Sequence, residues 1–215
     1  MNLHEHLPIL VVIIPLLAAP LCILAGRVAA WPIALGASWL SLGAAVALHL
    51  QVLESGAISY ILGGWAAPWG IEYHADLLTS YVLIIVTSIA ALVFSYARLS
   101  VQQEIHAEHQ AAFFAALCLC LAGLTGITAT GDAFNLFVFL EISSLASYAL
   151  ISMGKDRRAL NAAFQYLIMG SIGATFILIG IGFLYMMTGT LNMQDLAVRL
   201  PEVSDTRTVR AGLAF

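Results

Sequence analysis

A single carboxylate lies in the middle of a stretch that is otherwise apolar enough to cross a membrane. The stretch runs from Gly131 to Met153, GDAFNLFVFLEISSLASYALISM, with Glu141 near its centre. About 20 apolar residues cross the hydrocarbon core of a bilayer as a helix. A charged side chain at that depth costs at least about 2.5 kcal/mol on insertion scales, so it is kept where it has a partner, a water-filled cavity or a function.

The helical period places Glu141 on a polar stripe. At about 100° per residue, Ser144 and Tyr148 share its face, together with Phe134, Phe137 and Ser152. We therefore expect this face to point into a helix bundle rather than at lipid. The hydroxyls of Ser143, Ser144 and Ser147 have an alternative, since serine in a helix can donate back to a backbone carbonyl of its own turn.

The composition predicts a membrane protein of several spans. Of the 215 residues, 61% are hydrophobic and 9% charged, with a mean hydropathy of +0.96, whereas soluble domains carry about 25% charged residues. No basic tract is present, which argues against a nucleic-acid partner. Neither a metal-ligand cluster, nor a nucleophile with a base, nor a phosphate-binding loop is present, so we expect no cofactor, no metal and no enzymatic chemistry in the chain itself.

The apolar segments predict one polytopic, all-α membrane domain over residues 1–215. We expect about six transmembrane helices, a short hairpin-like external loop within residues 51–76, and the start of a seventh helix at Ala211. The predicted spans are residues 7–25, 30–50, 77–97, 111–130, 133–153 and 160–187, followed by an interfacial segment at 190–200 that ends at Pro201. A short turn at Gly26 is expected to join the first two spans.

The first span is expected to be retained, because the opening residues MNLHEH lack the basic region of a signal peptide. Pro15 and Pro20 interrupt it, and a membrane helix tolerates this where neighbours or water satisfy the freed carbonyls. Small residues in spans four and six predict close helix packing: Ala115, Ala116, Gly123, Gly126, Gly170, Gly173, Gly180 and Gly182.

The distribution of lysine and arginine predicts the orientation. Arg27, Arg98 and the group Lys155, Arg157 and Arg158 fall on alternate loops, and the loops after spans two and four have no lysine or arginine. Cationic loops stay in the cytoplasm. We therefore expect a prokaryotic inner-membrane protein with its N-terminus outside, although the segment after span six carries arginines against this pattern.

Two further ionisable residues are secondary candidates for a proton path. Asp132 precedes the Glu141 helix and could instead cap its N-terminus. His49 lies near the end of span two, where a lone histidine could equally be a polar interface residue. The loop around Glu54, Glu72 and Asp76 has no lysine or arginine and is either an acidic surface loop or a cation-collecting vestibule.

The sequence resembles a known family in the region that contains Glu141. GDAFNLFVFLEISSLASYALIS, followed by LNAAFQYLIMGSIGATFILIGIGFLYMMTGTLNMQDLA, is similar to the antiporter-like subunits of Mrp-type cation/proton antiporters, respiratory complex I and membrane-bound hydrogenases. The run from Glu141 to Tyr148 favours the D-type subunit of the Mrp antiporters. The chain is therefore identified as similar to the N-terminal part of such a subunit.

The resemblance implies inverted helix repeats, a proton path along the middle of the membrane, and a proton-translocating role for Glu141, with Ser144 and Tyr148 beside it. It also implies a lysine partner on the seventh span. The only lysine here is Lys155, in a loop. We therefore expect other membrane subunits as partners, including a chain or segment that supplies the missing lysine, besides the lipid bilayer, protons and monovalent cations.

Three functional hypotheses remain open at this point. The first is an ion-translocating subunit that exchanges protons for sodium or another monovalent cation. The second is a proton-pumping membrane arm of a complex I-like or hydrogenase-type redox complex. The third is a shortened, non-transporting scaffold. The absence of a lysine from the predicted spans is consistent with this hypothesis.

Overall fold

The computed structural model describes residues 6–215, so most of the MNLHEH segment lies outside the described residues. The elements follow in the order α1 (Leu7–Ser55), β1 (Ile58–Ile61), a 3₁₀ turn (Leu62–Gly64), β2 (Glu72–Ala75), α2 (Leu77–Glu104), α3 (Gln110–Ala129), α4 (Ala133–Ser152), α5 (Arg157–Thr188), α6 (Met193–Val203) and α7 (Arg207–Ala214). Within residues 6–215, five helices, α1 to α5, are long and apolar enough to cross a membrane. The predicted all-α membrane fold with a short hairpin is confirmed, while the exact number of spans stays a prediction.

Helix α1 is a folded pair of arms rather than a single rod. Gly26 has φ +73° and ψ −178°, in the left-handed region that glycine adopts without steric cost. The Ser41 hydroxyl donates to the Val11 carbonyl oxygen at 2.8 Å, across a separation of 30 residues. A straight helix would hold these residues about 45 Å apart. Residues 7–25 and 27–55 are therefore antiparallel arms joined at Gly26.

The same hydrogen bond explains how the first arm accommodates a proline. Pro15 has no N–H with which to bond the carbonyl four residues earlier, and that carbonyl belongs to Val11. Ser41, fully buried in the second arm, supplies the missing donor. The expectation that a neighbouring group satisfies the carbonyl freed by Pro15 is confirmed at this position.

Helix α3 packs between α1 and α4. A Cβ on Gly123 would lie 2.6 Å from the Ser143 Cβ and 2.7 Å from the Ser143 nitrogen, so only glycine permits this approach of α3 to α4. Gly126 lies against the ring of Phe139 in the same interface. By contrast, a Cβ at Gly173 or Gly182 would meet nothing within 4 Å. The predicted close packing therefore occurs at some of the glycines and not at these two.

The predicted hairpin-like external loop is a two-stranded antiparallel hairpin. Strands β1 and β2 pair with Tyr60 opposite Tyr73, and residues 62–71 connect them. The Gly131 N–H donates to the Glu72 carbonyl at 2.9 Å. This bond pins the hairpin to the turn between α3 and α4.

The loops separate into two ends. At the first, the basic end, Arg27 Nε donates to Gln110 at 3.0 Å, and the Lys155 N–H donates to the Glu104 carbonyl at 3.3 Å. At the second, the hairpin end, the Ala133 N–H donates to the Leu191 carbonyl at 2.8 Å. The cations used to predict orientation therefore lie together, while the assignment of their end to the cytoplasm stays a prediction.

The segment after α5 departs from the sequence prediction in two places. Helix α6 does not stop at Pro201 but continues to Val203, because a proline in the last turn removes only one helical hydrogen bond. Helix α7 begins at Arg207, four residues before the predicted Ala211, with the Thr206 hydroxyl accepting from the Val209 N–H. It packs along α5, where Gly212 lies against Gly180.

Candidate functional site

Helix α4 is fixed at its start and along one face. The Asp132 side chain accepts from the Asn135 N–H at 2.7 Å and caps the N-terminus. Phe139 and Ser143 face α3 at the two close glycines, and the Ser147 hydroxyl lies 3.7 Å from the Cys120 sulfur of α3. These three residues recur every four positions and therefore define the face of α4 that is committed to α3.

Glu141 lies on the other side of α4. At about 100° per residue, its direction differs by about 160° from that of Ser143. Its side chain is half-buried. Among residues 6–215, no hydrogen bond or ion pair reaches the Glu141 carboxylate. The carboxylate is thus presented, by a helix that packs on α3, to a region outside the α3–α4 interface.

The hydroxyls predicted to accompany Glu141 do not bond to it within this part of the chain. Tyr148 is buried, and its hydroxyl lies against Gly170 of α5. Its ring contacts Tyr166 edge-on, with 4.8 Å between the centroids. Ser144 is half-buried on the same face as Glu141. Tyr148 therefore anchors the C-terminal part of this face to α5, whereas no hydrogen bond within the described residues reaches Glu141.

Two of the neighbouring serines follow the alternative that the sequence left open. The Ser143 hydroxyl donates to the Leu140 carbonyl at 2.9 Å, and the Ser147 hydroxyl donates to the Ser143 carbonyl at 2.8 Å. Their donors are used within α4. Ser144 is the serine of this run with no such bond in the described residues, which keeps its hydroxyl free for a partner near Glu141.

The secondary candidates lie in separate local structures. His49 Nδ1 is 2.9 Å from the Ser80 hydroxyl of α2, and its ring is 6.5 Å from that of Tyr81. Asp132 is buried at 6% exposure and caps α4. Neither position is brought into hydrogen-bonding contact with Glu141. Within the described residues, no group of three His, Cys, Asp or Glu side chains is placed to hold a metal ion.

A buried carboxylate at the hairpin end was not predicted. Glu72 is 7% exposed, and it accepts from the Ser59 hydroxyl at 2.7 Å and from Asn192 Nδ2 at 2.6 Å. It is therefore not part of an acidic surface loop. The sequence offered one sign that Glu72 is buried, which is its position as a single carboxylate within a short aromatic strand. Its pairing with Asn192, 120 residues away in sequence, could not be predicted.

Burial and capping set the ionisation of the groups at this end. Burial raises the pKa of Asp132, and the capping N–H groups offset only part of that effect. Asp76 has the opposite shift, because the backbone N–H of Thr79 at the start of α2 lowers its pKa. Burial raises the pKa of Tyr73 to about 12. Burial therefore favours the neutral forms of Asp132 and Tyr73, whereas helix capping favours the ionised form of Asp76.

The part of the chain that contains this site matches a known protein family. Residues 130–213 match the family model described as NADH:quinone oxidoreductase/Mrp antiporter, TM. This segment covers the Asp132 cap, the Glu141 helix, and α5 to α7.

Named relatives extend the match over more of the chain. The N-type subunit of an NADH-quinone oxidoreductase from Desulforudis audaxviator is 45% identical over 98% of this chain and 42% of its own length. The D-type subunit of a Na(+)/H(+) antiporter from Bacillus subtilis is 36% identical over 72% of this chain and 31% of its own length. The chain thus spans about two fifths or less of these relatives.

Solved structures agree with the fold. A chain of the archaeal membrane-bound sulfane sulfur reductase has a TM-score of 0.88 at 31% identity, over 96% of this chain and 42% of its own length. A chain of the Mrp complex from a Dietzia species has a TM-score of 0.82 at 23% identity, over 100% of this chain and 40% of its own length, which supports the fold alone. Residues 130–213, which contain Glu141, therefore match the NADH:quinone oxidoreductase/Mrp antiporter membrane domain, and the chain is similar to antiporter-like membrane subunits that carry it.

Proposed function

We propose that this chain provides the proton-binding half of an ion-translocation site in a multisubunit monovalent cation/proton antiporter. The observation that carries the proposal is the placement of Glu141 on a fixed helix, turned away from α3, with its carboxylate unsatisfied by any group in residues 6–215. An unpaired carboxylate in the hydrocarbon region is costly. A partner from elsewhere in the assembly would offset that cost.

The expected partner is a cation. A positive charge near a carboxylate in low dielectric favours its ionised form, and withdrawal of that charge favours proton uptake. Movement of a lysine toward and away from Glu141 would therefore release and load a proton. Ser144, whose hydroxyl has no bond in the described residues, is proposed to hand the proton to or from the carboxylate through water. Tyr148 is proposed to hold this face against α5.

Asp132 and His49 stay secondary predictions for the same path. The geometry of Asp132 is accounted for by capping of α4, and that of His49 by its bond to Ser80. A role in proton transfer would require a further water or chain between these groups and Glu141.

The test is a matched pair of variants in the assembled complex. Glu141→Gln removes the proton-binding group with little change in volume, while Glu104→Gln removes an exposed carboxylate at the basic end. In proteoliposomes with an entrapped pH dye, we expect Glu141→Gln to lower sodium-driven proton movement at least about tenfold and Glu104→Gln to leave it unchanged. Normal antiport by Glu141→Gln, at equal complex yield, would favour the scaffold hypothesis instead.

A redox-driven pump is the second candidate. It is favoured by the 45% identical relative named as a quinone oxidoreductase subunit and by the 31% identical chain of a sulfane sulfur reductase. The two candidates differ in energy source. In the same vesicles, an antiporter moves protons when a sodium gradient is imposed without any electron donor, whereas a redox-driven arm requires donor and acceptor.

A further inference from the structure

A cavity with two arginines opens at the basic end, where α1 turns at Gly26. It has a volume of about 220 Å³ and lies between the second arm of α1, α2 and α3. Arg27 and Arg98 both line it, together with Trp31 and Gln110. This cavity is separate from the Glu141 face and from the hairpin end.

Both guanidinium groups are held in position by neutral partners. Arg27 Nε donates to Gln110 Oε1 at 3.0 Å, and the buried Gln110 in turn donates to the Ile105 carbonyl at 3.3 Å. The Arg98 guanidinium lies 4.7 Å from the centre of the Trp31 ring, whose N–H donates to the Phe94 carbonyl at 3.1 Å. The positions of the cations are therefore set before any ligand binds.

Neither arginine has an acidic partner in the described part of the chain. The ion pairs within residues 6–215 are His109–Glu108, Arg199–Asp195 and Arg210–Asp205. Two like charges that face one cavity repel each other unless an anion lies between them. Guanidinium groups match the oxygens of a phosphate in two-point geometry. Two guanidinium groups without an acidic partner at one cavity therefore favour an anion with several oxygens, such as a phosphate group.

The surroundings indicate where that phosphate comes from. Val28 is 92% exposed and Leu24 83% exposed on α1, and Leu99 is 65% exposed on α2, all within a turn or so of the two arginines. In a membrane these side chains face acyl chains, so a lipid headgroup is the source of phosphate that lies directly beside the cavity. Basic pockets between membrane helices at the interface bind anionic lipid headgroups. We propose that Arg27 and Arg98 bind the headgroup phosphate of an anionic phospholipid, whose acyl chains lie along the exposed apolar residues.

The experiment measures lipid retention by the full chain in its complex. Protein extracted in mild detergent is exposed to equal amounts of phosphatidylglycerol and phosphatidylcholine, and retained lipid is counted by native mass spectrometry. We expect preferential retention of phosphatidylglycerol, and we expect Arg27→Gln with Arg98→Gln to reduce that preference about tenfold or more. The control is Arg157→Gln with Arg158→Gln, which removes two cations at the same end outside the cavity and is expected to retain the preference.

A third variant and a competition with free phosphate identify the bound group. Val28→Glu places an acid beside the cavity at a 92% exposed position, where folding is not at stake, and it is expected to release the lipid. Inorganic phosphate at millimolar concentration is expected not to displace it. Unchanged retention by both Val28→Glu and the double arginine variant would overturn the proposal, as would displacement of the lipid by free phosphate alone.

Discussion

Gly123→Ala tests whether the close contact between α3 and α4 positions the Glu141 helix. In the structure, a Cβ at this position would lie 2.6 Å from the Ser143 Cβ, 2.7 Å from the Ser143 nitrogen and 2.9 Å from the Phe139 carbonyl oxygen. Two of these atoms belong to the backbone and cannot rotate away. Helix α4 would therefore have to move away from α3, together with the face that carries Glu141.

The magnitude follows from two opposing effects. Restoring ordinary contacts requires a shift of about 1 Å in a closely packed interface, and overpacking of this kind costs about 1–3 kcal/mol. Replacing glycine by alanine within a helix returns about 0.5–1 kcal/mol. Gly173→Ala is the matched control, because a Cβ there would meet nothing within 4 Å. The difference between the two variants therefore isolates the overpacking cost.

Thermal unfolding in detergent, followed by tryptophan fluorescence, measures this difference. We expect Gly123→Ala to unfold about 3–10 °C below Gly173→Ala, and sodium-driven proton movement to fall in Gly123→Ala alone. Equal unfolding temperatures for the two variants would refute the close α3–α4 contact. Equal temperatures together with lost transport would mean that α4 is positioned by something other than this contact.

Three further predictions concern the hairpin end. Asn192→Ala removes a partner of the buried Glu72 carboxylate and the cap of α6, so we expect the unfolding free energy to fall by about 2–4 kcal/mol. The same substitution should cost less in a Glu72→Gln background, and simple additivity of the two changes would contradict this coupling. Asp132→Asn keeps a capping oxygen but does not titrate. Because burial raises the pKa of Asp132 above its ordinary 3.8, the stability of the wild type should fall relative to that of the variant as pH rises above about 4; parallel pH profiles of the two proteins would contradict this. Burial also raises the pKa of Tyr73 to about 12 from an ordinary value of 10, so the stability of the wild type relative to Tyr73→Phe should decline between these pH values. Tyrosinate absorbance from Tyr73 at pH 10 would contradict this expectation.

Features that depend on local sequence were predictable. The length and hydropathy of each apolar segment predict helices because a backbone in hydrocarbon must satisfy its own hydrogen bonds. The turn at Gly26 and the helix that contains Glu141 followed from the same reasoning. The alternate placement of Arg27, Arg98 and Lys155 predicted that they share one end, and the structure places them there.

Features that depend on distant partners were not predictable from one sequence. The pairing of Glu72 with Asn192 joins residues 120 positions apart, and no local pattern records it. The contrast between Gly123 and Gly173 has the same origin, since both are glycines in apolar helices and only one faces another helix closely. The strand register of the hairpin, with Tyr60 opposite Tyr73 across residues 62–71, also depends on a pairing that no local pattern specifies.

The sequence by itself determined that the chain is a bundle of membrane helices with one acidic side chain at mid-span, because hydropathy and the helical period act within a single segment. The tertiary structure decided which face of α4 is used for packing and which is left for Glu141, and it turned Glu72 from a surface acid into a buried one. Those outcomes depend on which helices meet and at what rotation, which is set by contacts between segments far apart in the chain.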